Sequence, residues 1–141
     1  MSAHISDTLR REVAERANHR CEYCQTAQRI SGAQMHVDHI IPLVHGGTSY
    51  EQNLCLACAW CNSYKSTQTR GIDLQTGAEA PLYNPRTQTW AEHFRWQENG
   101  YEIVGMTPSG RATVAALKMN NEYILPARRQ WALAGWHPPE L

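Results

Sequence analysis

Long apolar runs are missing from this sequence. No stretch approaches the ~20 consecutive apolar residues that a membrane-crossing helix needs. The first residues, from Met1 through Asn18, also lack the apolar segment of a secretory signal. A cytoplasmic location is the expectation, with no membrane partner. Charge is sparse as well, with 13 basic residues against 13 acidic ones and a formal net charge of zero. That balance weakens the case for broad, non-specific phosphate binding, while leaving room for a local basic face. Internal repeats and low-complexity tracts are absent too. What remains is an ordinary soluble composition, 42% hydrophobic over 141 residues, which fits one domain with a small extension.

An even cysteine count is also lacking. There are five, at Cys21, Cys24, Cys55, Cys58 and Cys61, and no secretory signal accompanies them. Both facts argue against a disulfide scaffold. The spacing points to metal instead. Cys21-Glu22-Tyr23-Cys24 is one CxxC knuckle, and a second lies near residue 58. Two knuckles supply the four thiolates that a closed tetrahedral zinc site requires, because CxxC spacing lets both sulfurs of a pair meet one ion. The second pair has two registers by spacing alone, Cys55/Cys58 or Cys58/Cys61. Under the second register Cys55 is a packed thiol close to the site.

Hydrophobic periodicity organises the rest. Leu9, Val13 and Ala17 recur every four residues, predicting an amphipathic helix over 7–19 capped by Ser6 or Asp7. Its arginines Arg10, Arg11 and Arg16, with Arg20 just beyond, alternate with glutamates and read as a solvated face rather than a phosphate contact. Residues 34–41 partly alternate and predict a strand, with Met35, Val37 and Ile41 to one side, His36 and Asp38 to the other, and Pro42 as terminator. A flexible loop, His45-Gly46-Gly47-Thr48-Ser49, follows. Residues 54–57 predict a short second strand, and a helix is expected to start after Cys61. Gly, Pro, Thr and Asn between 71 and 89 read as linker or irregular loop. Residues 93–105 predict a β-hairpin turning at Asn99-Gly100 in a two-residue type I′ turn, which sets Trp96 opposite Ile103. Thr107 and Pro108 open a helix to about Met119 with Val114 and Leu117 inward, and Pro126 opens another that Gly135 closes. Trp90, Phe94, Trp96, Trp131 and Trp136 read as core. The expected organisation is a core over 1–70 and an extension over 71–141, packed on or beside it.

Chemistry gathers in residues 36–65. Asp38 and Asn62 offer hard oxygen atoms suited to Mg²⁺ or Mn²⁺. His39 offers a base that works near neutral pH, and a second amide, Asn53, can orient groups around it. His36 and Lys65 stand close by as supporting groups. Asn62 directly follows Cys61, so an ion held by that thiol would fix where Asn62 points. In a regular strand Asp38 and His39 face opposite sides, so a shared site needs the strand to end or bulge there.

Taken together, Cys21-x-x-Cys24, Val37-Asp38-His39-Ile40-Ile41-Pro42, Gly46-Gly47, Asn53-Leu54 and Cys58-x-x-Cys61-Asn62-x-x-Lys65 resemble the zinc-containing HNH endonucleases. The resemblance covers residues 21–65. It implies an α+β fold with a ββα-metal core and structural Zn²⁺ on Cys21, Cys24, Cys58 and Cys61, which selects the Cys58/Cys61 register. It further implies His39 as general base, Asn53 as its orienter, and Asp38 and Asn62 as ligands of a catalytic divalent ion. Asn62 stands where the family name has its last histidine, an HNN-type variant. DNA is the implied partner, with no small-molecule cofactor. The competing expectation is a catalytically silent zinc-knuckle module that binds nucleic acid or protein. The complete Asp38/His39/Asn62 set favours the nuclease, since a binder has no need of it.

Overall fold

The computed structural model describes residues 4–140, an α+β arrangement of short helices and three two-stranded antiparallel sheets. The chain divides into two compact units. The first runs through Thr69 and takes in Asn84–Gln88, and the second comprises Arg70–Tyr83 and the residues from Thr89 onward. Among the described residues no helix is long and apolar enough to cross a membrane.

In the first unit, helix α1 (Asp7–Arg16) is capped by the Ser6 hydroxyl, which accepts from Leu9 N at 3.1 Å. Its apolar stripe is the one the fourfold spacing predicts. Val13 is buried against Ile5, Leu54 and Leu56, with Leu9, Ala14, Ala17, Met35 and Val37 packed around them. A short turn, α2 (Gln28–Ser31), follows the first knuckle. Strand β1 (His36–His39) pairs with β2 (Leu54–Ala57) in the register Val37↔Leu56, Asp38↔Cys55 and His39↔Leu54. Residues directly opposite in an antiparallel pair share a face. Val37 and Leu56 therefore face α1, while Asp38 and Cys55 face away from it. Helix α3 (Ala59–Lys65) supplies Lys65 to the Asp38 face.

Three expectations shift here. The strand is shorter than 34–41, and Ile41 is 46% exposed rather than aligned with Met35 and Val37. The chain leaves the ladder after His39 because the Asn53 backbone and side chain capture Ile40 and Ile41. Helix α3 begins before Cys61, since the Cys58 sulfur caps it by accepting from Cys61 N at 3.4 Å. A sulfur acceptor at an N-cap takes the place of the usual oxygen.

The second unit corrects the expected linker. Within 71–89 lies a hairpin whose strands are β3 (Arg70–Ile72) and β4 (Glu79–Pro81). Its loop is built on Asp73, whose backbone carbonyl accepts from Gly77 N and whose carboxylate accepts from Gln75 N. Small residues and a polar loop hid the alternation that marks a strand. The turn α4 (Trp90–His93) then leads into β5 (Phe94–Trp96), which pairs with β6 (Ile103–Gly105) in the expected Trp96↔Ile103 register. The connection itself is different. Gly100 N donates to Gln97 O, so Glu98 and Asn99 occupy the turn's central positions and Gly100 follows at φ 79°. Asn99 Oδ1 accepts from the amides of Tyr101 and Glu102, and this side-chain capture draws Asn99 out of a type I′ turn.

Helix α5 (Pro108–Ala116) opens as expected, the Thr107 hydroxyl accepting from Gly110 N at 3.0 Å. Leu117 is buried just past its end, whereas Val114 is only half-buried and Ala112 and Thr113 are inward. Helix α6 (Ile124–Leu133) starts two residues before Pro126, because Asn121 Oδ1 caps the amides of Tyr123 and Ile124. Trp90 and Phe94 are core, their rings 5.1 Å apart, but Trp136 is exposed.

Candidate active site and metal centre

The first knuckle is held in shape by its flanks. Arg20 and Ala27 form an isolated bridge, Cys21 N donates to Thr26 O, and Gln25 closes the loop in the left-handed region at φ 66°. Glu22 then fastens this loop to β2. Its amide donates to Leu56 O at 2.8 Å, and its carboxylate accepts from Leu56 N at 2.7 Å. The other carboxylate oxygen pairs with Arg86, sent from the returning segment Asn84–Gln88. Burial first, and then the nearby Arg16 charge, lowers Arg86 to about 10, so it remains a cation at neutral pH. Strand β2 runs directly into the second knuckle, so the Glu22 clasp brings the two together.

The four thiols of Cys21, Cys24, Cys58 and Cys61 are all buried, and their sulfurs lie within 4.8 Å of one another. Cys24 Sγ and Cys58 Sγ are 3.6 Å apart. A tetrahedron with metal–sulfur bonds of ~2.3 Å has edges of about 3.8 Å, so the spacing fits zinc. Within each knuckle the later amide donates to the earlier sulfur at 3.4 Å, the orientation a thiolate favours. Burial, and then crowding by Cys24 and Cys58, pushes the Cys21 thiol well up. For Cys61 crowding by Cys21, Cys24 and Cys58 comes first, and burial adds to it. A cation held at their centre would reverse that cost by stabilising the thiolate forms. Cys55 lies outside the set, facing Asp38 at 3.8 Å from Oδ2.

Asp38 and His39 are the last two residues of β1, and their side chains meet different partners. The Asp38 carboxylate is buried, 6% exposed, and its Oδ2 gathers three donors: Tyr23 OH at 2.8 Å, Lys65 Nζ at 3.0 Å and the Cys55 thiol. Lys65, 1% exposed, also donates to the backbone oxygen of His39 at 3.1 Å. It thereby ties the two neighbours together without joining their side chains. Burial, and then the charges of Cys55 and Asp38, push the Tyr23 phenol well up. Burial and Asp38 do the same to the Cys55 thiol, so both stay protonated donors.

The His39 imidazole points to Ser49, its Nε2 3.0 Å from the hydroxyl. Asn53 reaches the ring only through the backbone. Its Nδ2 donates to Ile41 O and Thr48 O at 2.9 and 2.8 Å, and its Oδ1 accepts from Ile41 N at 2.9 Å. Both ends of the 41–48 loop are thus fixed, and Ser49 with them. The loop is so tight at Gly47 that a Cβ there would stand 1.7 Å from Ile41 O. Asn62 is half-buried one turn before Lys65 on α3, and His36 is exposed. Sequence reasoning missed Tyr23 and Ser49. Their roles depend on tertiary neighbours, and neither position carries a pattern that announces them.

Residues 21–68 match the family model described as HNH endonuclease. The paired β1–β2 strands, α3 and the four-thiol cluster all lie within this stretch. No curated protein and no solved structure matches the chain.

Proposed function

We propose that this chain is an endonuclease that hydrolyses DNA phosphodiester bonds with a divalent ion. The observation that carries the reading is the half-buried His39 imidazole within the HNH-matched segment, its Nε2 3.0 Å from the Ser49 hydroxyl while Nδ1 has no partner among the described residues. In this reading His39 accepts the proton of an attacking water at Nδ1. Ser49 and, through the loop backbone, Asn53 fix the plane of the ring. Asp38 and Asn62 are the residues that would hold Mg²⁺ or Mn²⁺, whose oxygen-seeking chemistry suits a carboxylate and an amide. Such an ion stabilises charge on the phosphate and on the departing oxygen. Cys21, Cys24, Cys58 and Cys61 would hold structural Zn²⁺, and Lys65 supports the site by bracing Asp38 and the His39 carbonyl.

One observation favours a second reading. Asp38 is already neutralised by Lys65, and the chain has no net charge to attract a polyanion. A zinc-knuckle module that binds nucleic acid or protein without cutting would show the same features. Supercoiled plasmid incubated with zinc-loaded protein across a Mg²⁺ and Mn²⁺ series separates the two. The nuclease yields nicked or linear DNA that vanishes with chelation of the added ion. Intact plasmid in every ion, with retained binding in a gel-shift assay, selects the silent module.

A further inference from the structure

Asp38 has two oxygens in unequal surroundings. Oδ2 is saturated by Tyr23, Lys65 and Cys55. Oδ1 receives no donor from any described residue and is not fully buried. A carboxylate anchored through one oxygen cannot rotate, so its other oxygen is presented in one direction. Tyr23 is the neutral anchor of shortest distance, and it stands between Cys21 and Cys24. Its backbone position is set by the knuckle, through the Glu22 clasp to Leu56 on one side and Cys24 N to Cys21 Sγ on the other. Its ring is fully buried, which leaves the hydroxyl little freedom to seek another partner.

We propose that Tyr23 is a positioning residue that couples the four-thiol centre to the hydrolytic site, holding Asp38 Oδ2 so that Oδ1 is presented to a divalent cation. The proposal rests on the nuclease reading above, in which Asp38 is a ligand of that cation. It gives the knuckle a role beyond stapling two segments. The order of the thiol centre is transmitted through one phenol to the carboxylate that must meet the ion, in the way outer hydrogen bonds orient metal ligands elsewhere. Cys55 contributes a third and weaker donor to the same oxygen.

The test is direct binding of Mn²⁺, followed by electron paramagnetic resonance, to zinc-loaded full-length protein, alongside plasmid cleavage over the same Mn²⁺ range. Tyr23→Phe removes one hydroxyl and keeps the ring. At zinc content and unfolding midpoint matched to wild type, it should weaken Mn²⁺ binding and raise the half-saturating Mn²⁺ for cleavage by about 10–100-fold. The KM for DNA should stay unchanged. Cys55→Ala should move the same quantities in the same direction by less. Equal Mn²⁺ affinity in wild type and Tyr23→Phe, with wild type active, overturns the positioning role and leaves the nuclease reading standing. So does a Tyr23→Phe loss that only tracks lost zinc while Cys55→Ala changes nothing. A wild type that neither binds Mn²⁺ nor cuts overturns both.

Discussion

The two units of this chain are stabilised by different means. The first has a small apolar cluster around Val13, Leu54 and Leu56, and beside it a dense set of polar and thiol contacts that fix the knuckles, Asp38 and the 41–49 loop. The second is held by aromatic packing. Tyr83 meets Phe94 edge-on at 5.2 Å, and Trp90 lies 5.7 Å from Trp96. Arg128, itself buried, ties Met119 O and Tyr101 O together beneath the Trp96 ring. A unit built on polar and thiol contacts can place chemical groups accurately but depends on each of them. One built on aromatic burial tolerates the loss of any single polar contact better.

Stripping metal with a strong chelator should break this contrast most sharply. Structural zinc contributes about 10–16 kcal/mol in small zinc domains. Amide exchange should show protection lost across the knuckles, β1, β2 and α3, and retained in α5 and β5–β6. Simultaneous loss in both units would show that the second does not stand on its aromatic core.

Next in size come two substitutions of similar expected cost and different mechanism. Lys65→Met leaves the buried Asp38 carboxylate without its counter-charge and should destabilise the first unit by about 3–5 kcal/mol. Phe94→Ala empties the centre of the aromatic cluster and should cost the second unit about 3–5 kcal/mol. Denaturant unfolding followed by region-resolved exchange assigns each loss to its unit, and a loss under about 1 kcal/mol for Lys65→Met would mean that solvent reaches Asp38 after all.

Legibility in the sequence follows the same division. The knuckles were readable because ligand spacing is local, and only the choice between Cys55 and Cys61 needed the neighbouring Asn62. Ser6, the 3.6-residue stripe of α1, the Trp96↔Ile103 register and the Thr107-Pro108 helix start are also local signals. Tyr23, Ser49 and the burial of Lys65 were not readable, because each takes its meaning from a partner at least ten residues away in sequence. The β3–β4 hairpin was hidden by its Gly, Ala and Pro content, and the Asn99 side chain overrode the Asn-Gly turn preference.

Smaller effects sharpen the picture. Gly47→Ala forces its Cβ against Ile41 O and the Asn53 amide and should cost about 1–3 kcal/mol, the usual penalty of overpacking. Its signature should be a shifted His39 ring resonance, since the same loop carries Ser49. An unshifted resonance would detach the loop from the ring.

Acid provides the mildest probe, in the second unit. Arg111 grips Asp73 through two 2.9 Å hydrogen bonds and, with the Gln75 amide, lowers its carboxyl from 3.8 to about 2. A depressed carboxyl contributes stability that is complete above its unfolded value and is lost as pH falls through the folded one. Between about pH 4 and about 2 wild type should lose stability relative to Asp73→Asn, measured by denaturant midpoints. Parallel pH profiles would remove this pair from the account.

The central claim is that His39 is the base of a hydrolytic site, and cleavage of supercoiled plasmid by wild type and His39→Ala tests it most directly. Both proteins are brought to equal zinc content and assayed in Mg²⁺ and in Mn²⁺. His39 is not among the four clustered thiols, so the variant should load zinc and fold normally. The account predicts a rate lower by about 10²–10⁴, the contribution of a positioned base. Equal rates in either ion would contradict it.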